Sequence, residues 1–177
     1  MRPCAWTDAS DRQSGFLPDF VVFYVMQAVS EIVVFSLDGQ RYALNVWSVE
    51  RVIRVVEVTP LPKAPEIVMG VIDLAGQIVP VMNIRRRFRL PDREIALTVD
   101  LIVARTSRRV VAMIVDAVVD IIKVPEASFI PATDILPKLD YVDGLLGLAD
   151  GIILIHDLDT FLSMEEESLL EDSLHEV

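Results

Sequence analysis

Reaction chemistry in this 177-residue chain would have to come from few side chains: its two histidines, its single cysteine, and carboxylates that stand close in sequence. A nucleophile needs a base held beside a positioned Ser, Thr or Cys. His175 lies in an acidic C-terminal stretch and reads as solvated. His156, between Ile155 and Asp157, reads as a strand side chain rather than a base. Cys4 has no internal disulfide partner, which agrees with a reducing compartment such as the cytoplasm. The histidines offer no zinc spacing, and no glycine-rich phosphate loop is present. Asp116 with Asp120, and Asp140 with Asp143, could share acid–base work, but they fall at strand ends and in a loop, where carboxylates cap and turn. No catalytic residue, metal or cofactor is expected, and the chain is read as not an enzyme.

Charge narrows the partners. The formal net charge is -11, which disfavours nucleic acids and anionic membranes, since Lys and Arg hold both. One basic cluster, Arg85-Arg86-Arg87-Phe88-Arg89 with Arg93 beyond, carries an interleaved aromatic of the kind that can touch nucleic acid. On a short helix in an acidic chain it reads as a solvated face with local ion pairs. The apolar run Phe20 to Ala28 is far short of the roughly 20 residues a membrane helix needs. Asp8, Asp11 and Asp19 do not supply a signal peptide's basic start. Residues 1–28 are therefore read as a mobile N-terminal extension, with Met26 as a second start. The other reading makes Phe20 to Val25 an extra strand. The end, Glu165 to Val177, holds acids and no Lys or Arg, and is read as helical at its start and frayed later.

The elements that would position any site are written twice. Glu31 to Val55 matches Asp100 to Val124 at a constant shift of 69, and Gly70 to Ile84 matches Gly144 to Leu158 at a shift of 74. Ala43-Leu44 falls on Ala112-Met113, and Val52-Ile53-Arg54-Val55 on Ile121-Ile122-Lys123-Val124. The five extra residues fit in the stretch Ala132 to Val142.

Each copy reads as short strands: Ile32 to Leu37, Arg41 to Val46, Val49 to Val58, Val71 to Leu74 and Ile78 to Met82, then Leu101–Arg105, Val110–Val115, Val118–Val124, Leu145–Ala149 and Ile152–His156. Asp38-Gly39 suits a hairpin turn at positive φ, and Ala75-Gly76-Gln77 marks another. Thr59 to Pro65, with three prolines, is a rigid connector. Short helices are expected at Ile84–Phe88 and Leu158–Glu166, the second capped by Asp157. About five short strands per copy favour small closed barrels, which leave no open sheet edge. A barrel pair without chemistry works by presenting surfaces, including a groove between the barrels.

Gly70-Val71-Ile72-Asp73-Leu74-Ala75-Gly76-Gln77-Ile78-Val79-Pro80-Val81-Met82-Asn83-Ile84-Arg85 closely resembles the CheW family signature G-V-x-N-L-R-G-x-I-x-P-V-x-D-L-R. Val34-Phe35-x-Leu37 with Tyr42, Tyr141–Gly147, and Ile152 to Leu158 ahead of a short helix also resemble that family, over about Glu31 to Glu166. The resemblance implies a mainly β fold of two SH3-like five-stranded β-barrel subdomains related by internal duplication, with short helices including one near the C-terminus. A CheW-like domain would span 29–166, with barrel 1 at about 31–97, barrel 2 at about 98–157, a C-terminal helix at about 158–166, and an acidic tail at 167–177.

The resemblance further implies a cytoplasmic adaptor at receptor arrays on the inner membrane face, without membrane insertion. Its partners would be the regulatory domain of a CheA-type histidine kinase and the cytoplasmic tip of a methyl-accepting chemotaxis receptor. Val49, Arg51, Gly70, Ala75, Asp100 and Val118 are the candidate receptor-binding residues. Gly39, Gly76 and Gly144 are read as structural turn glycines. Where the family usually has arginine this chain has Ala75, and where it usually has glutamate this chain has Arg51; family Asn and Asp are exchanged at Asp73 and Asn83. Two readings follow. Arg51, taken to share a strand face with Val49, supplies the cation that Ala75 lacks; or the chain is a divergent CheW-like module serving another pathway, such as motility or biofilm control, through a different partner.

Overall fold

The structure, a computed structural model, describes residues 29–125, 128–132, 141–148 and 151–175. Cys4, Met26, Phe20 to Val25, Asp140 and most of the loop after Ala132 lie outside them. The described strands are β1 (Val29–Leu37), β2 (Gln40–Asn45), β3 (Val49–Arg54), β4 (Val68–Leu74), β5 (Gln77–Met82), β6 (Asp100–Arg105), β7 (Val110–Val115), β8 (Ala117–Pro125), β9 (Phe129–Pro131), β10 (Val142–Leu148) and β11 (Gly151–His156). The α-helices lying wholly within the described residues are α1 (Ile84–Arg87) and α2 (Met164–His175).

Turn chemistry sets the hairpins. Asp38 and Gly39 sit at φ 54° and 78°, and Ala75 and Gly76 at φ 55° and 88°. Leu37 faces Gln40 and Leu74 faces Gln77, so each hairpin closes through two residues at positive φ, the turn that matches strand twist. Asp73 Oδ1 accepts the Gly76 N–H at 2.6 Å and fixes the second.

The strands assemble as a six-stranded sheet, β8-β1-β2-β11-β10-β9, and a five-stranded sheet, β3-β6-β7-β5-β4. The boundary expected near residue 97 does not separate them. Residues 49–115 carry the whole second sheet, and the first is built from the strands on either side. The chain crosses at Val46–Ser48 and returns at Asp116. Each copy lends its first two strands to the other's sheet: β1 runs antiparallel to β8, while β2 lies parallel to β11 through Ile155–Ala43 and His156–Leu44. In the second sheet β5 lies parallel to β7 through Val81–Ala112 and Met82–Met113, the repeat-equivalent pairs.

Three apolar clusters fill the body. One lies inside each sheet's curve, around Ile32, Val34, Leu146 and Ile153 in the first and Val79, Val81, Leu101 and Val103 in the second. A third joins the sheets, with Phe35, Leu37 and Leu44 packed in one cluster with Ile102, Met113 and Val115.

Gly70 and Gly144 are repeat-equivalent, and both stand inside strands. A Cβ on Gly70 would lie 2.1 Å from the Thr59 carbonyl oxygen, and one on Gly144 would lie 2.3 Å from the Phe129 ring. Gly144 is thus a close-approach glycine rather than a turn.

The C-terminal helix also departs from expectation. Leu158–Thr160 forms a 3-10 turn capped by Asp157, and α2 begins at Met164 and holds to His175. Ser163 and Glu166 form a reciprocal cap: the Glu166 N–H donates to Ser163 Oγ at 3.2 Å and the Ser163 N–H to Glu166 Oε2 at 2.8 Å. That S-x-x-E pattern is a capping box, and it sets the start of the helix at Met164 rather than at Leu158.

Candidate protein-contact site

Asn45 ends β2 by accepting the Trp47 N–H at 3.2 Å, which turns the chain through Val46–Ser48 and leaves the Trp47 indole 86% exposed. On β3, Arg51 is exposed and Val52 is 42% exposed. The neighbouring arginines are engaged, Arg54 with Asp100 at 2.8 Å and Arg105 with Glu50 at 2.5 Å. Arg51 has no ion-pair partner among the described residues. An exposed guanidinium and an exposed indole between positions 47 and 52 are of the residue types enriched in protein contacts.

The sequence-derived candidates do not converge on one spot. The ladder between β3 and β6 shifts register between Val49 and Arg51. This bulge breaks the alternation that put both on one face; Val49 packs against the inter-sheet core while Arg51 faces outward. Ala75 is exposed at the tip of the β4–β5 hairpin, and Gly70 is buried against Thr59.

Asp100 and Val118 are joined to each other: Asp100 Oδ2 accepts the Val118 N–H at 2.9 Å while Oδ1 holds Arg54. Asp100 therefore ties β3 and β6 to β8. Two clefts of about 490 and 470 Å³ open at repeat-equivalent places, the first lined by Val124, Phe129 and Asp143, the second by Val55, Val58 and Met69.

Arg85, expected on a solvated face, is only 4% exposed. Its Nη1 donates to Asp116 Oδ1 at 3.1 Å, its Nη2 to Asp38 Oδ1 at 3.0 Å and its Nε to the Pro91 carbonyl at 3.0 Å. Asp116, expected as a solvated cap, also accepts the Asp38 N–H at 2.7 Å. Phe88 explains the burial. Its ring stacks on Tyr42 at 4.6 Å and lies 4.6 Å from the His156 ring, which draws α1 onto the inter-sheet core. Tyr42 is shifted above its ordinary pKa by burial first and by Asp38 second.

His156 is 3% exposed, and its Nδ1 lies 2.8 Å from the Tyr141 carbonyl oxygen. A carbonyl only accepts, so Nδ1 carries the proton. Nε2 is buried and has no partner among the described residues, and burial lowers the pKa to about 4. Among the described residues no Ser, Thr or Cys is hydrogen-bonded to either ring nitrogen, and the arrangement is that of a core side chain.

Residues 31–166 match the family model described as CheW-like domain. The chain belongs to the CheW-like family. Among similar proteins is the "Chemotaxis protein CheW" of Thermotoga maritima, 32% identical over 133 residues, 75% of this chain and 87% of that protein. The "Chemotaxis protein CheW" of Rhizobium meliloti is 30% identical over 138 residues, 77% of this chain and 89% of that protein. In three dimensions the chain resembles the scaffolding protein TtCheW from Thermoanaerobacter tengcongensis, with a TM-score of 0.72 and 29% identity over 78% of this chain and 96% of that one. The mainly β, two-subdomain fold implied by the sequence resemblance is the fold observed, and the CheW-like family is one of scaffolds rather than enzymes. No helix among the described residues is long and apolar enough to cross a membrane.

Proposed function

We propose that this chain is a non-enzymatic cytoplasmic adaptor that couples methyl-accepting chemoreceptors to a CheA-type histidine kinase in arrays at the inner membrane face. The likeness to CheW proteins across residues 31–166 carries this reading. The β3 surface supports it, because Trp47, Arg51 and Val52 are exposed and no carboxylate among the described residues holds Arg51. In this reading Arg51 meets a carboxylate on the receptor tip and supplies the cation that Ala75 does not. Val49, Gly70, Asp100 and Val118 then act behind the contact, by packing and by hydrogen bonds that hold β3, β4, β6 and β8.

Reconstitution of receptor, kinase and this protein, reading kinase autophosphorylation, tests the coupling. Phosphorylation should rise or fall only when all three are present; a rate indifferent to this protein would reject the adaptor role. Arg51→Glu should abolish receptor pull-down and leave kinase binding intact. The loss of a charge-assisted hydrogen bond alone is worth about 1.5–3 kcal/mol. Receptor binding that survives the reversal would remove Arg51 from the contact.

A further inference from the structure

Helix α2 is seated by charge more than by apolar contact. Of its twelve residues three are buried, Glu167, Leu170 and Ser173, and only Leu170 is apolar. Leu174 adds a partly buried contact with the inter-sheet core. Met164 and Leu169 are 79% and 50% exposed. Ser173 spends its hydroxyl on its own helix, at the Leu169 carbonyl.

What fixes the helix is a pair of arginines from elsewhere in the chain. Arg87 Nη2, from α1, reaches Glu166 Oε2 at 2.5 Å. Arg109, in the β6–β7 turn, donates Nε to Glu167 Oε1 at 2.7 Å and stands 3.9 Å from Glu171.

The seat is imperfectly filled. Arg87 Nε is buried and has no hydrogen-bond partner among the described residues. An open cleft of about 90 Å³ lies beside the first turn of α2, lined by Thr106, Ser107, Arg108 and Asp159 as well as by Met82 and Leu162. A single fully buried apolar anchor, two ionic anchors and an unused donor describe an occupant that can leave.

We infer that α2 is a displaceable plug, and that the seat beneath it is a binding site for an acidic amphipathic helix of a partner protein. The helix resident there defines the chemistry: adjacent carboxylates to meet Arg87 and Arg109, and an aliphatic side chain three residues after the second, as Leu170 follows Glu167. A partner carboxylate that engaged both Nε and Nη2 of Arg87 would make the paired hydrogen bonds α2 leaves half-made. The inference does not rest on the receptor–kinase reading.

Hydrogen exchange on the full chain tests displacement. Opening of α2 should let its amides exchange at least about tenfold faster than those of β7, and faster still when salt rises from about 0.05 to 0.5 M, with β7 unchanged. Exchange of α2 only together with β7 at both salts would overturn the inference.

A labelled peptide of the Ser163–His175 sequence is then added to full-length E166Q/E167Q protein. It should bind, more weakly at high salt and not at all once R109E is added. Absence of binding by a double variant whose β7 amides remain protected would also overturn it; if that variant does not fold, the salt series on the natural chain decides.

Discussion

His156 stands where Met82 stands in the other copy, at the end of the strand that lies parallel to its neighbour. Exchanging a thioether for an imidazole in a core ringed by Tyr42, Phe88, Tyr141 and Phe161 makes stability depend on pH. Its folded-state pKa is lowered from 6.5 to about 4. As pH falls below 6.5 the unfolded chain takes up a proton that the folded chain refuses. Stability is therefore full above pH 6.5 and is lost as pH falls toward 4, by at most about 3 kcal/mol. Asp143 works the other way, its carboxyl raised by burial first and Asp157 second, so the histidine is isolated by comparing His156→Met with the natural chain. Urea midpoints at pH 7 and pH 4.5 should converge for the variant and diverge for the natural protein; equal pH slopes in both would contradict the neutral, buried ring. The sequence placed His156 in a strand correctly, because alternation is local. It could not supply the aromatic ring set, which comes from four other places in the chain.

Elements were legible where a turn or repeat marked them, and illegible where a distant contact decided. Asp38-Gly39 and Ala75-Gly76 announce their hairpins through residues tolerant of positive φ. Gly70 is the opposite case, since its need for a missing Cβ comes from Thr59, which bridges to Val71 next to it. Gly70→Ala should cost at least about 2 kcal/mol, whereas Gly39→Ala, with open space around it, should cost about 1 kcal/mol in backbone strain alone. Thermal melts that ranked the two the other way would contradict the close approach. Arg85 looked solvated because its neighbours in sequence are arginines; its burial follows from Phe88 docking and from two aspartates on other elements. Arg85→Met leaves Asp116 and Asp38 facing each other without a cation. Both carboxylates keep some water, with 26% and 47% of their side chains exposed, so the loss should fall at or below the low end of the range for broken buried pairs, about 2–3 kcal/mol. Asp116→Asn, which keeps the shape, should lose less. An Arg85→Met protein as stable as the natural one would show the triad to be incidental.

At the scale of the whole molecule, the repeat identified equivalent strands but not their partners. Local pattern sets which residues face a core, while pairing across a sheet depends on strands far apart in the chain, and here each copy's first two strands cross to the other sheet. That exchange has a mechanical consequence. The second sheet is one continuous stretch, 49–115, and on connectivity alone it could fold or melt by itself. The packing argues otherwise, because Phe35, Leu37 and Leu44 from the first sheet share a single fully buried cluster with Ile102, Met113 and Val115 from the second. Opening either sheet exposes that shared face to water, at roughly 25 cal/mol per Å², so neither is stable alone and the two should melt as one unit. Calorimetric and van't Hoff enthalpies should agree in a single transition. Leu37→Ala, which empties a fully buried site, should cost about 3 kcal/mol and lower that one transition without splitting it. A surviving 49–115 sheet, seen as slow amide exchange in β6 and β7 after β1 and β2 have exchanged, would mean that the shared cluster does not bind the halves together.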